Sequence, residues 1–225
     1  MKAQTVAPLD MPWDEIETVF LDMDGTLLDL AFDNYFWHEH VPNYYGRKQS
    51  MEFEQAQRLL IDKYNGKRGT LDWYCLDYWS ETLDLNIADL KREICHRVEV
   101  LPGVPEFLQR LRQLQKRVVL LTNAHMDSVS IKFEISGLDT YMDRVISSHE
   151  LGHAKEEADF WPALVEYEPH QLDATLLIDD NLHVLDAAKR HGLKHLLSVK
   201  KPDSSLPEQS TREYVAIDGF AEIMP

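Results

Sequence analysis

The chain has 225 residues, of which 44% are hydrophobic and 28% are charged, a composition typical of a globular protein with one sizeable domain or two small ones. Its formal net charge of −16 opposes binding to nucleic-acid polymers and to anionic membrane surfaces, so neither partner is expected. The only cysteines, Cys75 and Cys95, exclude a disulfide framework and a four-cysteine zinc site and indicate reduced, mostly buried thiols.

The N-terminal stretch MKAQTVAPLDMPWDE lacks the apolar core of a signal peptide, and no later run is long enough to span a bilayer. We therefore expect a cytoplasmic protein, with no oligomeric state predicted. A small anionic substrate remains compatible with the net charge, provided that its site concentrates positive charge locally.

Five short apolar runs predict the strands of a sheet. They are continuous rather than alternating, which is typical of parallel strands covered on both faces. The runs are TVFLDMD, RVVLLTN (117–123), DRVISS (143–148), ATLLIDD (174–180) and KHLLSV (194–199), with a weaker terminal strand at EYVAID. Helical patterns lie between them, and Gly137 and Gly192 are suited to end two of these helices. The alternation predicts an α/β fold with a doubly wound parallel sheet.

The segment between Leu30 and Val100 has a different pattern, with helical stripes and no strand-like run. The stripes are Phe53, Ala56, Leu60 and Tyr64, then Leu71, Tyr74 and Tyr78, then Ile87, Leu90 and Ile94. We predict a core domain formed by residues 1–29 and 100–225, and a small helical domain formed by residues 30–99. The inserted segment holds three of the five tryptophans and six of the nine tyrosines. These rings either fill a small core or offer flat faces to a planar ligand, with Trp73 and Tyr35 as candidates.

Polar side chains follow three of the predicted strands at the point where each strand ends. Asp22 and Asp24 follow the first, Thr122 and Asn123 the second, and Asp179 and Asp180 the fourth. In open parallel sheets, ligands bind beyond the carboxyl ends of the strands. Each pair taken alone could instead form a turn or a helix N-cap, so its function depends on the other pairs.

The order of these motifs resembles that of the haloacid dehalogenase superfamily of phosphohydrolases. Asp22, Asp24, Gly25 and Thr26 match its D-x-D-G-T motif, Thr122 matches its second motif, Lys155 its lysine, and Asp179 and Asp180 its acidic pair. The resemblance covers the whole predicted core. Glu156 departs from the family, which often has proline after the lysine.

This resemblance implies a Rossmann-like core with a helical cap and a mechanism through an aspartyl-phosphate. Asp22 would be the nucleophile, Asp24 the general acid and base, and Lys155 a catalytic residue that offsets negative charge. Mg²⁺ would be the cofactor. Its implied ligands are Asp22, Asp24 (through its carbonyl), Asp179 and Asp180. The implied phosphate-binding residues are Gly25, Thr26, Thr122, Asn123, Ala124 and Lys155.

Within the superfamily, the segments VFLDMDGTLLDLAFDNYFW, LDWYCLDYWSE, LLTNAH and LLIDDN are similar to those of the bacterial GMP/IMP nucleotidases. This similarity implies hydrolysis of a small phosphate monoester, a purine 5′-mononucleotide. Alternatives are a phosphatase for a sugar phosphate or phosphoglycolate, a phosphomutase, and a non-catalytic phosphate-binding module.

The histidines suggest two metal sites that we do not predict. His149 to His153 spells the H-E-x-x-H signature of zinc proteases, but Gly152 disfavours the continuous helix that this site needs. His38 and His40 fall in a helical stretch, where residues two apart face different directions. His125 could contact phosphate or substrate, although its position favours an ordinary polar loop residue.

Overall fold

Six parallel strands form one sheet with the order β3-β2-β1-β4-β5-β6. The computed structural model describes residues 9–225. Residues 1–8 lie outside it. They are the first residues of the predicted core segment 1–29 and of the stretch in which no signal peptide is expected. The strands are β1 (Thr18–Leu21), β2 (Arg117–Thr122), β3 (Arg144–Ser147), β4 (Thr175–Ile178), β5 (His195–Val199) and β6 (Ala216–Ile217). The predicted α/β fold with a doubly wound parallel sheet is confirmed.

The central strand β1 is buried on both faces, which explains its continuous apolar sequence. Val19 and Leu21 belong to one hydrophobic core and Phe20 belongs to a second core on the other face. Leu21 lies in register with Leu120 of β2 and with Ile178 of β4. β1 and β4 therefore end together and β2 ends two residues further on, so the residues that follow all three emerge at one edge of the sheet.

The order in which strands are added to the sheet reverses at β1. The chain proceeds from β1 to β2 and β3 on one side and then crosses over to β4 on the other side. In open α/β sheets such a switch point leaves a crevice at the carboxyl ends of the strands. Asp22 and Asp24 follow β1 and Asp179 and Asp180 follow β4, so all four lie at this crevice.

The segment between β1 and β2 is helical, as its sequence predicts. Its helices are α1 (Ala31–Tyr35), a π-helical turn (Phe36–His40), α2 (Val41–Gln49), α3 (Phe53–Asn65), α4 (Leu71–Tyr74), α5 (Leu76–Leu83) and α6 (Ile87–Glu93). We call residues 31–97 the insert. The division of the chain into two domains, with boundaries at residues 29/30 and 99/100, stays a prediction.

One predicted stripe of the insert is wrong in detail. Cys75 adopts an extended conformation (φ −82°, ψ 113°) and separates α4 from α5, so Leu71, Tyr74 and Tyr78 do not share one helix. The buried side of α5 is instead Leu76, Trp79 and Leu83. The sulfur of Cys75 accepts a hydrogen bond from the Tyr78 amide, which gives the second helix its N-cap.

The remaining helices cover the sheet. They are α7 (Val104–Gln113), α8 (Met126–Ser136), α9 (Ser148–Leu151), α10 (Phe160–Tyr167) and α11 (Leu182–His191). Helices α8 and α11 end as predicted, at Gly137 (φ 66°) and Gly192 (φ 109°) in the left-handed conformation.

The two chain crossings between sheet and insert are paired. The Asp29 amide donates to the Glu99 carbonyl (2.9 Å), and the Leu101 amide donates to the Leu27 carbonyl (2.9 Å). These bonds flank an antiparallel bridge between Leu28 and Val100. The two ends of the insert therefore meet at one place.

None of the helices in residues 9–225 is long and apolar enough to cross a membrane. The cytoplasmic location stays a prediction. Cys75 and Cys95 are free thiols, as expected, but they are half-buried rather than buried.

Glu168 joins the amino-terminal ends of two strands and yields a test of the fold. Its buried carboxylate accepts hydrogen bonds from Arg117 of β2 (2.5 Å) and Arg144 of β3 (2.7 Å). Glu168→Gln should lower the free energy of unfolding at neutral pH by about 1–3 kcal/mol, the usual contribution of hydrogen bonds to charged groups.

The effect of Glu168→Gln should also depend on pH. Burial alone would raise the pKa of Glu168, but the two guanidinium groups hold it below its ordinary value of 4.5. A group with a lowered folded-state pKa stabilises the protein above its unfolded-state pKa, and this contribution disappears as the pH falls through the folded-state value. Urea unfolding at neutral and acidic pH should show the difference between variant and wild type shrinking below pH 4.5; a constant difference would contradict the ion-pair assignment.

Candidate active site

Three carboxylates from two adjacent strand ends converge at the crevice. Asp22, Asp179 and Asp180 each bring one oxygen to within 4.8 Å of the others. The backbone holds them there, because the Asp22 amide donates to the Ile178 carbonyl (3.0 Å) and the Asp179 amide to the Leu197 carbonyl (3.1 Å). The predicted convergence of the two acidic motifs is therefore present.

Lys155 lies between two of these carboxylates. Its ammonium donates to Asp22 Oδ1 (2.6 Å), to Asp179 Oδ2 (2.7 Å) and to the Leu121 carbonyl (2.9 Å). The side chain is only 2% exposed. Burial alone would lower the pKa of Lys155, but the two carboxylates raise it well above its usual range, so the group is a permanent cation.

The negative charge of the cluster exceeds the positive charge that Lys155 supplies. Burial raises the pKa of Asp22 to about 6, against the effect of Lys155, and Asp179 adds to the rise. Burial raises the pKa of Asp180 well above its ordinary value, and Asp179 and Asp22 raise it further. Within the described chain no lysine or arginine pairs with the Asp180 carboxylate. An all-oxygen cluster with uncompensated charge fits a hard divalent cation such as Mg²⁺.

The loop after β2 lies beside this cluster. The Thr122 hydroxyl accepts a hydrogen bond from the Ala124 amide (3.0 Å), which leaves its own proton available to another acceptor. The Asn123 side-chain oxygen accepts from the Lys155 amide (2.9 Å), so this loop and the lysine loop are fixed to each other. Thr122, Asn123, Ala124 and Lys155 all line the cleft.

Gly25 and Thr26 form the turn after Asp22 and Asp24. Gly25 has φ 82°, and a Cβ atom there would lie 2.7 Å from the Asp180 carboxyl carbon. Thr26 is fully buried, and its hydroxyl oxygen has no hydrogen-bond partner among the described residues. Neither residue is part of the cleft lining, so their role in phosphate binding stays a prediction.

Asp24 lies next to the cluster and binds a second buried lysine. Lys132 of α8 donates to Asp24 Oδ1 (2.6 Å) and to Asp33 Oδ2 of the insert (2.7 Å), and Lys91 donates to Asp33 Oδ1 (2.7 Å). Burial raises the pKa of Asp24 to about 6, and the nearby Asp33 adds to the rise. For Asp33 burial acts in the same direction, but the two ammonium groups outweigh it and lower the pKa to about 2.

Sequence reasoning missed Lys132, Asp33 and Lys91. The signal was present in two helices, because each lysine occupies a position of a buried stripe. Lys132 follows Val129 by one turn, and Lys91 lies between Ile87 and Ile94. A lysine at such a position must find a buried partner.

Glu156, the departure from the family pattern, connects three parts of the site. Its carboxylate accepts hydrogen bonds from the Tyr74 hydroxyl of the insert (2.6 Å) and from the side-chain amides of Asn123 (2.8 Å) and Asn181 (2.9 Å). Proline could accept none of these bonds with its side chain. The substitution therefore links the insert to two loops of the core.

The histidines do not form a zinc site. Helix α9 ends at Leu151, and Gly152 is left-handed (φ 75°), so His153 does not share a helix with His149. His153 instead contacts Glu157 (3.2 Å). The continuous helix that an H-E-x-x-H metal site needs is therefore interrupted at Gly152.

Among the described residues, His38, His40 and His125 form no ion pair with Asp22, Asp24, Asp179 or Asp180. His38 and His40 fall in the π-helical turn, and His40 contacts Glu93 (3.4 Å). His125 caps α8 and faces Asp77 of the insert (3.6 Å).

A cleft of about 890 Å³ leads to the carboxylate cluster. The core supplies its polar floor, and the insert supplies an aromatic wall. The rings of this wall are Trp37, Tyr64, Trp73, Tyr74 and Trp79. Tyr35 lies outside the lining, with the Arg97 guanidinium 4.0 Å above its ring. The cleft therefore has room for a flat ligand beside the carboxylate cluster, with Trp73 and not Tyr35 on its wall.

The fold and the site define the chain as an α/β protein with an acidic crevice at the carboxyl ends of its strands. The family model of haloacid dehalogenase-like hydrolases matches residues 16–192. The chain belongs to this family and is a phosphohydrolase.

The chain is also similar to individual proteins. It is 38% identical over 217 residues to the GMP/IMP nucleotidase YrfG of Escherichia coli (strain K12), covering 96% of this chain and 98% of that protein. A haloacid dehalogenase family phosphatase from Thermococcus onnurineus superposes with a TM-score of 0.76 at 20% identity, over 92% and 95% of the two chains. The L-2-haloacid dehalogenase from Xanthobacter autotrophicus superposes at 0.61 with 18% identity, over 92% and 96%. These two structures share the fold and have different chemistry, so the fold alone does not select a reaction.

The close approach of Gly25 to Asp180 can be tested against a matched glycine. Gly152 has a similar φ of 75°, but a Cβ atom there would meet nothing within 4 Å. Both Gly25→Ala and Gly152→Ala should lose about 1–2 kcal/mol of stability to left-handed strain. Only Gly25→Ala should also displace Asp180 and weaken divalent-cation binding, measured as the rise in melting temperature on adding Mg²⁺. An equal rise in both variants would show that Gly25 does not protect the acidic cluster.

Proposed function

We propose that the protein is a Mg²⁺-dependent phosphomonoesterase that hydrolyses purine 5′-mononucleotides, such as GMP and IMP, to nucleoside and phosphate. The observation that carries this proposal is the cluster of Asp22, Asp179 and Asp180 with Lys155 at the floor of an aromatic cleft. The similarity to the E. coli GMP/IMP nucleotidase over nearly the whole of both chains supports the substrate class.

Mg²⁺ would be held by the side chains of Asp22, Asp179 and Asp180 and by the backbone carbonyl of Asp24. When bound, it neutralises the carboxylates and the substrate phosphate, which would otherwise repel each other. Lys155 contributes to the same neutralisation, and its contacts with Asp22 and Asp179 fix both carboxylates in place.

Asp22 is the proposed nucleophile. One of its carboxylate oxygens forms a bond to phosphorus while the bond from phosphorus to the ester oxygen breaks, which gives an aspartyl-phosphate and an alkoxide. Water then attacks phosphorus, the bond to Asp22 breaks, and phosphate is released. Burial of Asp22 at the end of β1 keeps it in one orientation for in-line attack.

Asp24 is the proposed general acid and base. Its proton passes to the leaving alkoxide in the first step, and its carboxylate takes a proton from the attacking water in the second. A pKa of about 6, raised by burial and by Asp33, suits a group that must exist in both forms near neutral pH.

The phosphate oxygens are proposed to bind the Thr122 hydroxyl and the backbone amides of Asn123 and Ala124, together with Lys155. The turn at Gly25 and Thr26 completes this set in the family pattern. The Thr122 hydroxyl accepts from the Ala124 amide, so its own proton can be donated to a phosphate oxygen.

The aromatic wall supports a substrate whose nucleoside part carries a purine ring. Trp73 is half-buried on this wall, with the Arg68 guanidinium 6.0 Å above its ring, and neither needs a specific hydrogen-bond pattern to stack on a flat base. A sugar phosphate or phosphoglycolate would leave most of the aromatic surface without a partner. A phosphomutase would use the same acidic cluster, and a phosphate-binding module would not need the pair Asp22 and Asp24.

The proposed activity should be measured as phosphate release from a panel of nucleotides, sugar phosphates and phosphoglycolate, with Mg²⁺ and with EDTA. Purine 5′-monophosphates should be the best substrates, and EDTA should abolish release. Activity only on sugar phosphates would replace the substrate class, and isomerised product without phosphate release would indicate a mutase.

Asp22→Asn should lower kcat by at least about 10³-fold, because the substitution removes the nucleophile. The fold should survive, since Lys155 keeps its hydrogen bond to Asp179. Asp186→Asn is the matched control: Asp186 also lines the cleft, but it pairs with Arg212 and Tyr214 away from the cluster. Equal losses in the two variants would exclude Asp22 as the nucleophile.

Trp73→Ala should raise the KM for GMP roughly 5- to 150-fold, since base stacking on an aromatic ring contributes about 1–3 kcal/mol. It should leave the KM for an aryl phosphate without a purine nearly unchanged. Tyr35→Ala serves as the control, because Tyr35 belongs to the insert but not to the cleft lining. Similar effects of both variants on both substrates would favour a structural role for Trp73.

A further inference from the structure

Four charges of alternating sign, two of them on buried lysines, run from the candidate active site into the insert. Asp24 and Lys132 belong to the part of the chain that forms the sheet and its helices, and Asp33 and Lys91 belong to the insert. The three hydrogen bonds that connect them measure 2.6, 2.7 and 2.7 Å. Lys132 is 1% exposed and Lys91 is 2% exposed.

These charges depend on one another. An ammonium group taken out of water is destabilising by several kcal/mol unless carboxylates surround it with good geometry. Lys132 satisfies this condition only with Asp24 on one side and Asp33 on the other. Asp33 in turn is held between Lys132 and Lys91, so the insert must be in place for the set to be complete.

Lys132 has little freedom to leave this position. Its ammonium lies 5.6 Å from the centre of the Phe32 ring, and Lys91 lies 5.5 Å from the same ring and 5.0 Å from that of Phe36. Both aromatic rings are buried. The apolar side of the pocket thus favours the orientation in which Lys132 faces the two carboxylates.

The two oxygens of Asp24 are therefore not equivalent. Oδ1 accepts the hydrogen bond from Lys132, whereas Oδ2 has no hydrogen bond to any residue of the described chain. The side chain of Asp24 is 21% exposed and lines the cleft, while the Lys132 side is buried. Oδ2 is the oxygen left to carry a proton to or from a ligand in the cleft.

We propose that Lys132 is a positioning residue that fixes the Asp24 carboxyl group with Oδ2 toward the leaving oxygen, and that Asp33 and Lys91 of the insert fix Lys132. The inference rests on the proposed function, in which Asp24 gives its proton to the leaving alkoxide and later takes one from water. Lys132 does not touch substrate in this scheme.

An activated ester separates positioning from a general structural role. The leaving group of 2,4-dinitrophenyl phosphate departs without a proton, so formation of the aspartyl-phosphate does not need Asp24, whereas its hydrolysis does. With an alkyl phosphate such as GMP, both steps need Asp24. A residue that acts through Asp24 therefore affects the two esters differently.

Lys132→Met should lower kcat for the best alkyl phosphate of the panel about 10²–10³-fold, the usual size of a general acid–base contribution, with KM little changed. In stopped-flow mixing with 2,4-dinitrophenyl phosphate and Mg²⁺, the variant should release a burst of one dinitrophenolate per enzyme and then turn over slowly. Lys132→Arg should restore part of the steady-state rate, because its guanidinium can pair with both carboxylates.

Lys116→Met is the matched control. Lys116 is half-buried, and its ammonium binds the carbonyls of Trp13 and Ile16, away from Asp24. The control should keep wild-type kinetics on both esters. Asp33→Asn should give the Lys132→Met pattern in weaker form, and it carries the same measurement if Lys132→Met does not fold.

Three results would contradict either the positioning role of Lys132 or the proposed phosphatase activity. Wild-type kcat on the alkyl phosphate in the Lys132 and Asp33 variants would overturn the positioning role and leave the proposed function intact. A burst that shrinks in proportion to the steady-state rate would indicate loss of folded enzyme and would also overturn it. A wild-type protein that releases phosphate from no monoester would instead overturn the proposed function.

Discussion

The contact of Lys155 with Asp22 and Asp179 is the interaction on which the rest of the site depends. Parallel strands that end together bring their terminal side chains to one edge, and here those side chains are carboxylates that repel each other. A single buried ammonium, 2.6 and 2.7 Å from two of them, makes this arrangement possible in the folded chain. It does not balance the charge completely, and the remaining negative charge at Asp180 supports the proposed binding of a divalent cation.

The same physical requirement extends the site beyond the sheet. Asp24 needs a positive neighbour, Lys132 needs a second negative one, and that partner, Asp33, belongs to the insert. Glu156 makes a separate connection by accepting from Tyr74. The aromatic wall and the acidic floor of the cleft are therefore held together by side chains that contact Asp24 or the loop after β2.

Local sequence patterns predicted the strands, their order of appearance and the acidic motifs, because a strand and the residues after it are set by neighbours in the chain. The buried chain of charges was not predicted, since Asp24 and Lys132 are 108 residues apart and Lys132 and Asp33 are 99 apart. Only the tertiary fold brings such groups together. Periodicity also failed at Cys75, where one extended residue moved the buried side of the next helix to Leu76 and Trp79. Lys91 and Lys132 were visible as lysines in apolar stripes, but their partners were not.

The paired crossings at Leu27–Asp29 and Glu99–Leu101 have a consequence for how such a chain can change over time. Both ends of the insert meet in one short ribbon. The insert therefore connects two neighbouring strands in the same way as a surface loop with closely spaced ends. The entropy lost on closing a loop grows only with the logarithm of its length. Segments of very different size can therefore occupy this junction with nearly the same entropic free-energy cost. The junction is thus a point of exchange, where one helical segment can be replaced by another while the strand ends and their carboxylates keep their places.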